Sequence, residues 1–483
     1  MPVLRKISVA AAGLALAGCA VGPNYQAPKT PATAAGPFVS TAPSSADAQA
    51  VPADWWRLYN DPVLDRLVRE ALVENDDLKV AAANLANAQA LVSQARAGQF
   101  PSTDLSAGAT YGRSATTDEL AGLTNTKAQA GWEYSTGFSA AYQIDLFGQI
   151  RRSIEAARAN AQAVQAAEDA VRVTVAAETA AAYANACGYG EQAAVARHSL
   201  SIVQESYDIT VRQRDAGALS DFDVARAATL LEQTRATIPS LDGQRHAALF
   251  ELTALLGKTP AEVPADAAAC QTPPRLSQPL PVGDGAALLK RRPDVREADR
   301  QLASATAKIG VAVANLYPSI SLGGAINAGA ATPGQLFHYN SVSYGIGPLI
   351  SWNFPNTLVA LSQIRQAKAV ASGTLASFDG VVVQALKETE QALTTYASEL
   401  DRHAALSAAR DRAEEALRLA QIQYQAGTAS YLDLLTSETT AVNADQALAS
   451  SDQLLSSDQV AVFQALGGGW QDAPVVTAPK VGR

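Results

Sequence analysis

The chain has 483 residues and a formal net charge of −9; 17% of its residues are charged and only 6% are aromatic. This alanine-rich composition is thin for a compact globular core and is typical of long, closely packed helices. Nucleic-acid-binding proteins normally carry a basic stripe, and the sequence contains none, so that class is excluded.

The N-terminus predicts a signal peptide that ends at a lipid-attachment site. Arg5 and Lys6 precede an apolar run over 7–17, which is too short to span a bilayer as a mature helix. The residues LAGC (16–19) resemble the lipobox of bacterial lipoproteins. That resemblance implies a diacylglycerol and an N-acyl chain such as palmitate on Cys19, and Ala20 after it favours the outer membrane. The alternative is an ordinary signal peptide with a chance cysteine.

The sequence after the leader repeats itself. The stretch QRDAGALSDFDVARA (213–227) matches QYQAGTASYLDLLTS (423–437), and 77–102 matches 294–319 at a slightly different offset. The shared positions include Gly, Pro and Asp as well as Ala. The matches therefore predict an internal duplication and two similar structural halves.

Each half has the same predicted order of elements. A helix ends just before a proline, Pro101 or Pro318, and two strands follow; a very long helix, a glycine turn and a returning helix complete the half. The first long helix runs from about Gly148 to Asp215, which at 1.5 Å per residue is about 100 Å. No globular domain is that wide, so we expect coiled-coil-like rods whose alanines let neighbouring helices approach closely.

Four stretches alternate between two kinds of side chain, and a period of two predicts strands. In 131–146, the even positions include Trp132, Tyr134 and Phe138, whereas the odd positions are small or polar. The other strands are expected at 102–111, 319–327 and 341–354, with hairpin loops at about 113–130 and 331–340.

Strands of this length suit a membrane β-barrel, whereas no apolar run after the leader approaches the roughly 20 residues of a transmembrane helix. In lipid every backbone group must be paired, so the sheet must close, and four strands are too few. We therefore expect the chain to pool its strands with two copies of itself. The expected lipid-facing residues are Trp132, Tyr134, Tyr344 and Trp352, and the lumen-facing ones are Glu133, Gln143, Asp145 and Asn353. A soluble set of hairpins is the alternative.

Seven motifs stand in order along nearly the whole chain. They are CAVGPNYQAP (19–28), WWRLYNDPVLDRLV (55–68), YQIDLFGQIRRSIEAARA (142–159), LLKRRPDVREADRQLASATAKIGVA (288–312), YPSISLGG (317–324), YQAGTASYLDLL (424–435) and LGGGW (466–470). Together they resemble the TolC-like outer-membrane factors, in the lipoprotein (NodT) branch of RND efflux channels. The resemblance implies a mainly α fold with membrane β-strands: a homotrimer whose twelve-stranded barrel, four strands per chain, continues into a long periplasmic α-helical barrel with an equatorial belt.

The resemblance also implies a function without catalysis. Drugs or other small toxic compounds would leave through a passive outer-membrane duct, delivered by an inner-membrane RND pump through a periplasmic adaptor. A protein-secretion duct that works with an ABC exporter and a coiled-coil lipoprotein without a pore remain as rivals. The sequence contains no catalytic or phosphate-binding motif, so no enzyme and no cofactor are expected. No metal site is expected either, because the four histidines stand apart in the sequence: His198, His246, His338 and His403.

These features divide the chain into six parts. They are a signal peptide (1–18), a lipidated segment that wraps the equatorial region (19–60), a first structural repeat (61–270), a linker (271–283), a second repeat (284–470) and a C-terminal tail (471–483).

The two glycine turns carry the most informative polar residues. A glycine ends each long helix, a serine can cap the returning helix, and an aspartate lies in its first turn, where the helix dipole favours carboxylates. The matching positions are Gly217 and Gly427, Ser220 and Ser430, and Asp223 and Asp433. Helix capping alone is one explanation of both aspartates.

The resemblance adds a second explanation, in which these turns form a periplasmic gate. In a trimer, Asp433 would form a ring of negative charges, joined by Asp223, and such a ring attracts cations and blocks anions. Tyr424 would hold the closed state by hydrogen-bonding near Asp223. The type member also uses an arginine in this latch, but the matching position here is Ala429, so the latch is incomplete.

Two cysteines remain after Cys19. Cys187 lies midway along the first long helix, and Cys270 lies in a proline-rich stretch, 259–283, between the halves. This stretch is expected to run over the equatorial belt, near the middle of that helix. Because the periplasm is oxidising, we expect a Cys187–Cys270 disulfide.

Two arginine pairs stand near helix starts. They are Arg151-Arg152 and Arg291-Arg292. Because long charged side chains generally keep their heads in water, we expect both pairs to form solvated faces.

Overall fold

The computed structural model describes residues 20–29, 31–40, 46–47, 49, 51–113, 123, 127, 130–276, 278–352, 354–355 and 357–479. Four predictions lie wholly or mostly outside these residues: the signal peptide over 1–18, the lipid attachment at Cys19, the hairpin loop at about 113–130 and the lumen-facing position of Asn353.

The chain divides into two compact units. The strand unit contains the described parts of Met1–Pro28, Asn87–Ala163 and Ala298–Ser377, and the helical unit contains those of Lys29–Ala86, Val164–Glu297 and Phe378–Arg483. Each unit draws on both sequence repeats. The compact units and the repeats are therefore different divisions of the same chain.

The described elements are mainly helical and follow the predicted order in both halves. The helices are α1 (Pro62–Glu74), α2 (Asp76–Ala97), α3 (Gln149–Asp215), α4 (Asp221–Leu255), α5 (Ala265–Ala269), α6 (Gly285–Arg291), α7 (Pro293–Ala314), α8 (Thr357–Gln425) and α9 (Tyr431–Ala465). The strands are β1 (Ala46–Asp47), β2 (Ser102–Gly112), β3 (Gly131–Ile144), β4 (Leu280–Pro281), β5 (Ser319–Ala330) and β6 (Val342–Ser351).

The strand unit contains an antiparallel sheet in the order β2-β3-β5-β6. In its hairpins Ser102 pairs with Ala141 and Ser319 pairs with Ser351, while β3 and β5 join the two repeats. β2 and β6 are the edge strands, and no other described strand pairs with their outer edges.

The alternating apolar and polar residues of the sequence lie on opposite faces of this sheet. Directly opposed residues of antiparallel strands share a face. One such row across all four strands is apolar: Leu105, Phe138, Ile326 and Tyr344. The next row is small or polar: Ser106, Gly137, Asn327 and Ser343. The apolar face is uncovered in the single chain, since Leu105 is 77% exposed and Tyr344 is 85% exposed.

The first long helix, α3, begins and ends close to its predicted boundaries. α3 has 67 residues and α8 has 69, so each is about 100 Å long at 1.5 Å per residue. α8 corrects the expectation that no stretch after the leader approaches a transmembrane helix. It contains an 18-residue stretch with a mean hydropathy of 1.4, which is apolar enough to cross a membrane by length and composition. Its small apolar residues are interspersed with polar ones and form no continuous run. Only 17% of that stretch is buried, so α8 presents apolar surface in the single chain.

The core of the helical unit forms around the motif WWRLYNDPVLDRLV (55–68). Trp55 is fully buried and stacks on Phe463, with ring centroids 4.6 Å apart. The glycines of LGGGW (466–470) let large side chains approach the backbone. A Cβ on Gly467 would lie 2.9 Å from Arg292 Cγ, and one on Gly468 would lie 3.1 Å from Trp55 Cδ1.

The expectation of solvated arginine pairs is wrong for three of the four residues. Arg291 donates to the Leu466 carbonyl at 2.6 Å, and burial lowers its pKa to about 10. Arg291 is half-buried, Arg292 and Arg152 are buried and donate to backbone carbonyls, and Arg151 is exposed. Carbonyls at helix ends lack partners within the helix, and a guanidinium supplies several donors in a fixed fork.

The segment before the first long motif is held on the helical unit. Phe38 is buried, and the N–H groups of Val39 and Ser40 donate to the two carboxylate oxygens of Glu390 at 2.7 and 2.9 Å. Gly285 approaches the same segment, with its N–H 3.0 Å from the Gly36 carbonyl. This part of the predicted N-terminal segment is therefore fixed by the Glu390 side chain and the Gly285 backbone of the second repeat.

Cys187 and Cys270 are joined by a disulfide, with Cα atoms 4.9 Å apart. Cys187 is fully buried in α3. A Cβ on Gly190, one turn further on, would lie 2.7 Å from the Cys270 carbonyl oxygen, so a glycine is needed there. Arg245 of α4 donates to the carbonyls of Ala268 and Cys270. The start of the linker is therefore held by a covalent bond and by a guanidinium.

We expect a Cys187→Ala, Cys270→Ala double variant to lose about 2–4 kcal/mol of unfolding free energy, because the bond closes a long loop in the unfolded chain. The two cysteines are 83 residues apart. Thiol titration of the denatured, unreduced wild type gives the chemical check, and thermal unfolding of both proteins gives the change in stability. Two free thiols in the unreduced wild type would contradict the bond.

Candidate functional site

The candidate site is the pair of glycine turns in the helical unit, which we call the tip turns (216–220 and 426–430). Gly217 and Gly427 adopt positive φ angles of 77° and 71°. After each long helix the chain reverses with the same hydrogen bond: the Ala218 N–H and the Thr428 N–H each donate to the carbonyl five residues back, of Gln213 and Gln423, at 2.9 Å. This helix-ending motif needs a left-handed residue, which explains the glycines.

Each returning helix begins with a capping box. Ser430 Oγ accepts from the Asp433 N–H at 3.3 Å, while Asp433 Oδ2 accepts from the Ser430 N–H at 3.0 Å and from Ser430 Oγ at 2.7 Å. Ser220 and Asp223 repeat this arrangement. The capping roles inferred from the sequence are thus present in both halves.

The capping bonds keep both aspartates charged. Hydrogen bonds from the serine side chain and backbone hold the pKa of Asp433 and that of Asp223 below the ordinary value. A depressed pKa means that the carboxylate stabilises the folded turn above its ordinary pKa, and that this contribution is lost as the pH falls through the lowered value. Asp433 is exposed and Asp223 is half-buried. The tip turns therefore present two fixed negative charges to solvent at neutral pH.

Tyr424 joins the two tip hairpins through a hydrogen bond to Gln213, and its expected role in holding a closed state near Asp223 stays a prediction. Its hydroxyl donates to Gln213 Oε1 at 2.5 Å, whereas the Asp223 carboxylate accepts from Ser220. Its ring packs against Tyr431, with centroids 6.0 Å apart. Tyr424–Gln213 is thus one hydrogen bond between the hairpins within a chain, and Ala429 donates its backbone N–H to the Gln423 carbonyl at 3.3 Å.

A cavity of about 650 Å³ lies beside this bond and contains a carboxylate that the sequence did not reveal. Glu438 of α9 is buried there, and its Oε2 accepts from Ser206 Oγ at 3.0 Å. Burial raises the pKa of Glu438. No local sequence signal marks this residue, because its burial depends on α3 packing over α9.

A second unpredicted feature is an ion-pair group at the first tip turn. Arg214 pairs with Asp215 at 2.8 Å and with Asp221 at 3.0 Å across the turn. The second tip turn has Tyr424 at the position matching Arg214. The two turns therefore share their backbone geometry but differ in charge.

The described residues contain no group of three His, Cys, Asp or Glu side chains able to hold a metal ion. His403 is not isolated, since its Nε2 lies 2.5 Å from Asp452 Oδ1, an oxygen that also pairs with Arg275 at 2.6 Å. His246 Nδ1 lies 2.8 Å from the Asp242 carbonyl. Both are local structural contacts of a helical bundle.

The fold and the tip turns define a class of protein that combines long helical hairpins with charged turns and an open-edged sheet with an exposed apolar face. The family model for the outer membrane efflux protein matches residues 67–258 and 286–468, one segment in each repeat. The chain belongs to this outer membrane efflux protein family.

Relatives cover almost the whole chain. Nodulation protein T of Rhizobium leguminosarum bv. viciae is 30% identical over 98% of this chain and 95% of its own length. The antibiotic efflux pump outer membrane protein ArpC of Pseudomonas putida is 30% identical over 96% of both chains. The solved outer-membrane channel OprN superposes with a TM-score of 0.86 at 33% identity, covering 94% of this chain and 100% of that one.

Proposed function

We propose that the chain forms the outer-membrane channel of a tripartite efflux system. In this proposal it is a passive, homotrimeric exit duct for drugs or other small toxic compounds. An inner-membrane RND pump supplies the substrate and the energy, and a periplasmic adaptor connects the pump to the tip turns. The sheet β2-β3-β5-β6, with two open edges and an exposed apolar face, carries the proposal.

The open edges require further strands if the sheet lies in lipid. Each edge strand leaves about half of its backbone N–H and C=O groups unpaired, and lipid offers no partner for them. Four strands are too few to close a barrel, whereas small barrels close with about eight or more. Three copies of this chain would pair β2 of one with β6 of the next and leave no edge.

The exposed apolar surface of α8 supports the same assembly. Val370 and Val383 are more than half exposed in the single chain. Apolar side chains repeated along a helix of this length are normally covered by another helix. Packing α8 against the helices of two further copies would cover them and build a helical tunnel.

Drug export follows from the relatives rather than from a binding site in this chain. ArpC is named as part of an antibiotic efflux pump, and we extend that role to this chain. The proposed location is the outer membrane, with a lipid anchor on Cys19 made of a diacylglycerol and an N-acyl chain. The helical part would lie in the periplasm.

Gating is proposed at the tip turns. In a trimer the exposed Asp433 side chains form a ring of three charges, with those of Asp223 nearby. The capping boxes support this role because they hold each carboxylate in one position and keep it ionised. Such a ring concentrates cations and excludes anions.

We expect planar bilayers containing the purified trimer to show cation-selective openings, and Asp433→Asn to reduce the cation-to-anion permeability ratio by roughly threefold to tenfold. Ser430→Ala is the matched control, because it breaks the same capping box and keeps the charge. It should leave the selectivity unchanged.

The outcomes separate three roles. Equal loss of selectivity in Asp433→Asn and Ser430→Ala would assign Asp433 to capping alone. Unchanged selectivity in both variants would agree with a channel but would show that the Asp433 ring does not set its ion selectivity. A folded trimer without any conductance would overturn the channel and favour a coiled-coil lipoprotein without a pore.

A further inference from the structure

Residues 20–25, which we call the N-terminal clip, are held against the end of the sheet. The Val21 N–H donates to the Phe147 carbonyl at 3.2 Å. Arg152 is buried, and its guanidinium donates to Val21 O at 3.2 Å, to Gly22 O at 3.3 Å and to Asn24 Oδ1 at 2.7 Å. Ala20, the residue bonded to Cys19, packs so closely on Gly148 that a Cβ there would lie 2.7 Å from Ala20 Cα.

The clip leads to a cavity of about 380 Å³ between the first turns of α3 and the side of α7. Among its lining residues are Tyr25, Gln99, Arg151, Glu155, Arg158 and Arg300. Arg151 and Arg158 are seven residues apart, so they lie on the same face of α3, two turns and about 10 Å apart. Arg300 comes from α7, and its guanidinium lies 5.3 Å from the centre of the Tyr25 ring.

The charges around this cavity are unbalanced. Arg151 pairs with Asp145 at 3.2 Å, Arg300 pairs with the neighbouring Asp299, and Glu155 pairs with Arg152 at 2.7 Å. Arg158 makes no hydrogen bond or ion pair within the described part of the chain. A fully exposed arginine often has no partner, but this one borders a cavity that also receives two other guanidinium groups.

The position of the cavity indicates its ligand. The clip starts directly after Cys19, so its side of the strand unit faces the lipid if that cysteine is anchored; this step rests on the proposed function. Two stacked aromatic pairs, Phe147–Tyr317 and Trp352–Phe354, lie where the strands meet the helices. Aromatic side chains at such a level are typical of a membrane–water interface. Arg151 follows the end of β3 by only seven residues.

We infer that this cavity binds the phosphate of an anionic phospholipid of the inner leaflet, with Arg158 as its principal unpaired cation and Arg151 and Arg300 on either side. Arginine binds phosphate oxygens through two parallel N–H donors, which suits a phosphodiester. Headgroup pockets that contain basic residues on the inner side of a membrane protein have this chemistry. A cavity of this volume accommodates a glycerophosphate group.

The test uses the full-length, lipidated trimer, from which bound phospholipid is removed in detergent. The trimer is titrated with phosphatidylglycerol or with phosphatidylcholine, and native mass spectrometry counts the lipids bound. We expect the wild type to bind phosphatidylglycerol about tenfold more tightly, and Arg158→Gln to lose most of that preference. Arg365→Gln is the matched control. Arg365 is exposed in the same unit, outside the cavity, and among the described residues its side chain hydrogen-bonds only to Ser362.

Three results would overturn the inference: equal affinity of the wild type for both lipids, an unchanged preference in Arg158→Gln, or the same loss in Arg365→Gln. A further titration with inorganic phosphate alone distinguishes the source of the anion. If free phosphate binds in an Arg158-dependent way and displaces phosphatidylglycerol, the ligand of the cavity is a soluble anion and not a lipid. Lipid counting does not depend on conductance, so failure of the channel proposal and failure of this inference are observed separately.

Discussion

Trp55→Ala should lower the free energy of unfolding by about 3–5 kcal/mol, the usual loss when a large buried aromatic side chain is deleted. Trp55 is fully buried, stacks on Phe463 and contacts Gly468 and Gly469 of the LGGGW motif. Those contacts hold the C-terminal motif on the helical unit. The truncation leaves a cavity that the rigid helices around it cannot fill.

Because large assemblies generally unfold irreversibly, the thermal midpoints of the wild type and the variants are compared at one fixed scan rate, and their order reports the relative loss. Trp55→Phe keeps the stacked ring and removes an indole N–H that has no acceptor among the described residues. Its loss of stability should therefore be much smaller. Phe222→Ala, which removes a largely exposed ring, is the control for aromatic truncation. A loss in Trp55→Ala no larger than that in Phe222→Ala would refute the role of Trp55.

Arg292→Met should cost about 2–4 kcal/mol, because it leaves several polar groups without their donor. Arg292 donates to Asp294 at 2.7 Å, to Glu388 at 2.8 Å and to the Ala465 carbonyl at 2.8 Å. Its side chain is only 10% exposed, but those of Asp294 and Glu388 are 36% and 39% exposed. Water can partly solvate the two carboxylates, which keeps the loss below that of a fully buried pair.

Thermal unfolding again reports the change, and Glu388→Gln separates charge from hydrogen bonding. This control keeps an acceptor for Arg292 and should lose less than 1 kcal/mol, as expected for a partly exposed ion pair. If Arg292→Met and Glu388→Gln have equal midpoints, the backbone bond to Ala465 contributes little. The arginine would then act mainly through its charge.

The elements set by local chemistry were predicted well. Alternation fixed the four strands of the sheet, and the ends of α3 and the tip turns followed from glycine, serine and aspartate at fixed spacings. These signals act over a few residues, so they can be read without knowledge of the partner. The pairing of β3 with β5 was not predicted, because it joins residues almost two hundred positions apart.

The surroundings of charged side chains were predicted poorly. Arg152, Arg291 and Arg292 are held by backbone carbonyls from distant segments, and Glu438 is buried by α3. Tyr424 was expected to bond near Asp223, but the sequence did not indicate Gln213 as its acceptor. In each case the sequence shows the charged or polar group but not the partner, which only the packed helices bring within hydrogen-bond distance.

The sequence by itself thus determined the duplication, the strands, the long helices and their capped turns, because periodicity and capping depend on neighbours along the chain. The tertiary structure decided which buried cations hold which carbonyls, how Cys187 reaches Cys270, and where the N-terminal clip meets the arginine cavity. Those contacts depend on distances between segments far apart in sequence. A side chain's exposure, and with it its pKa and its role, is fixed only when those segments pack.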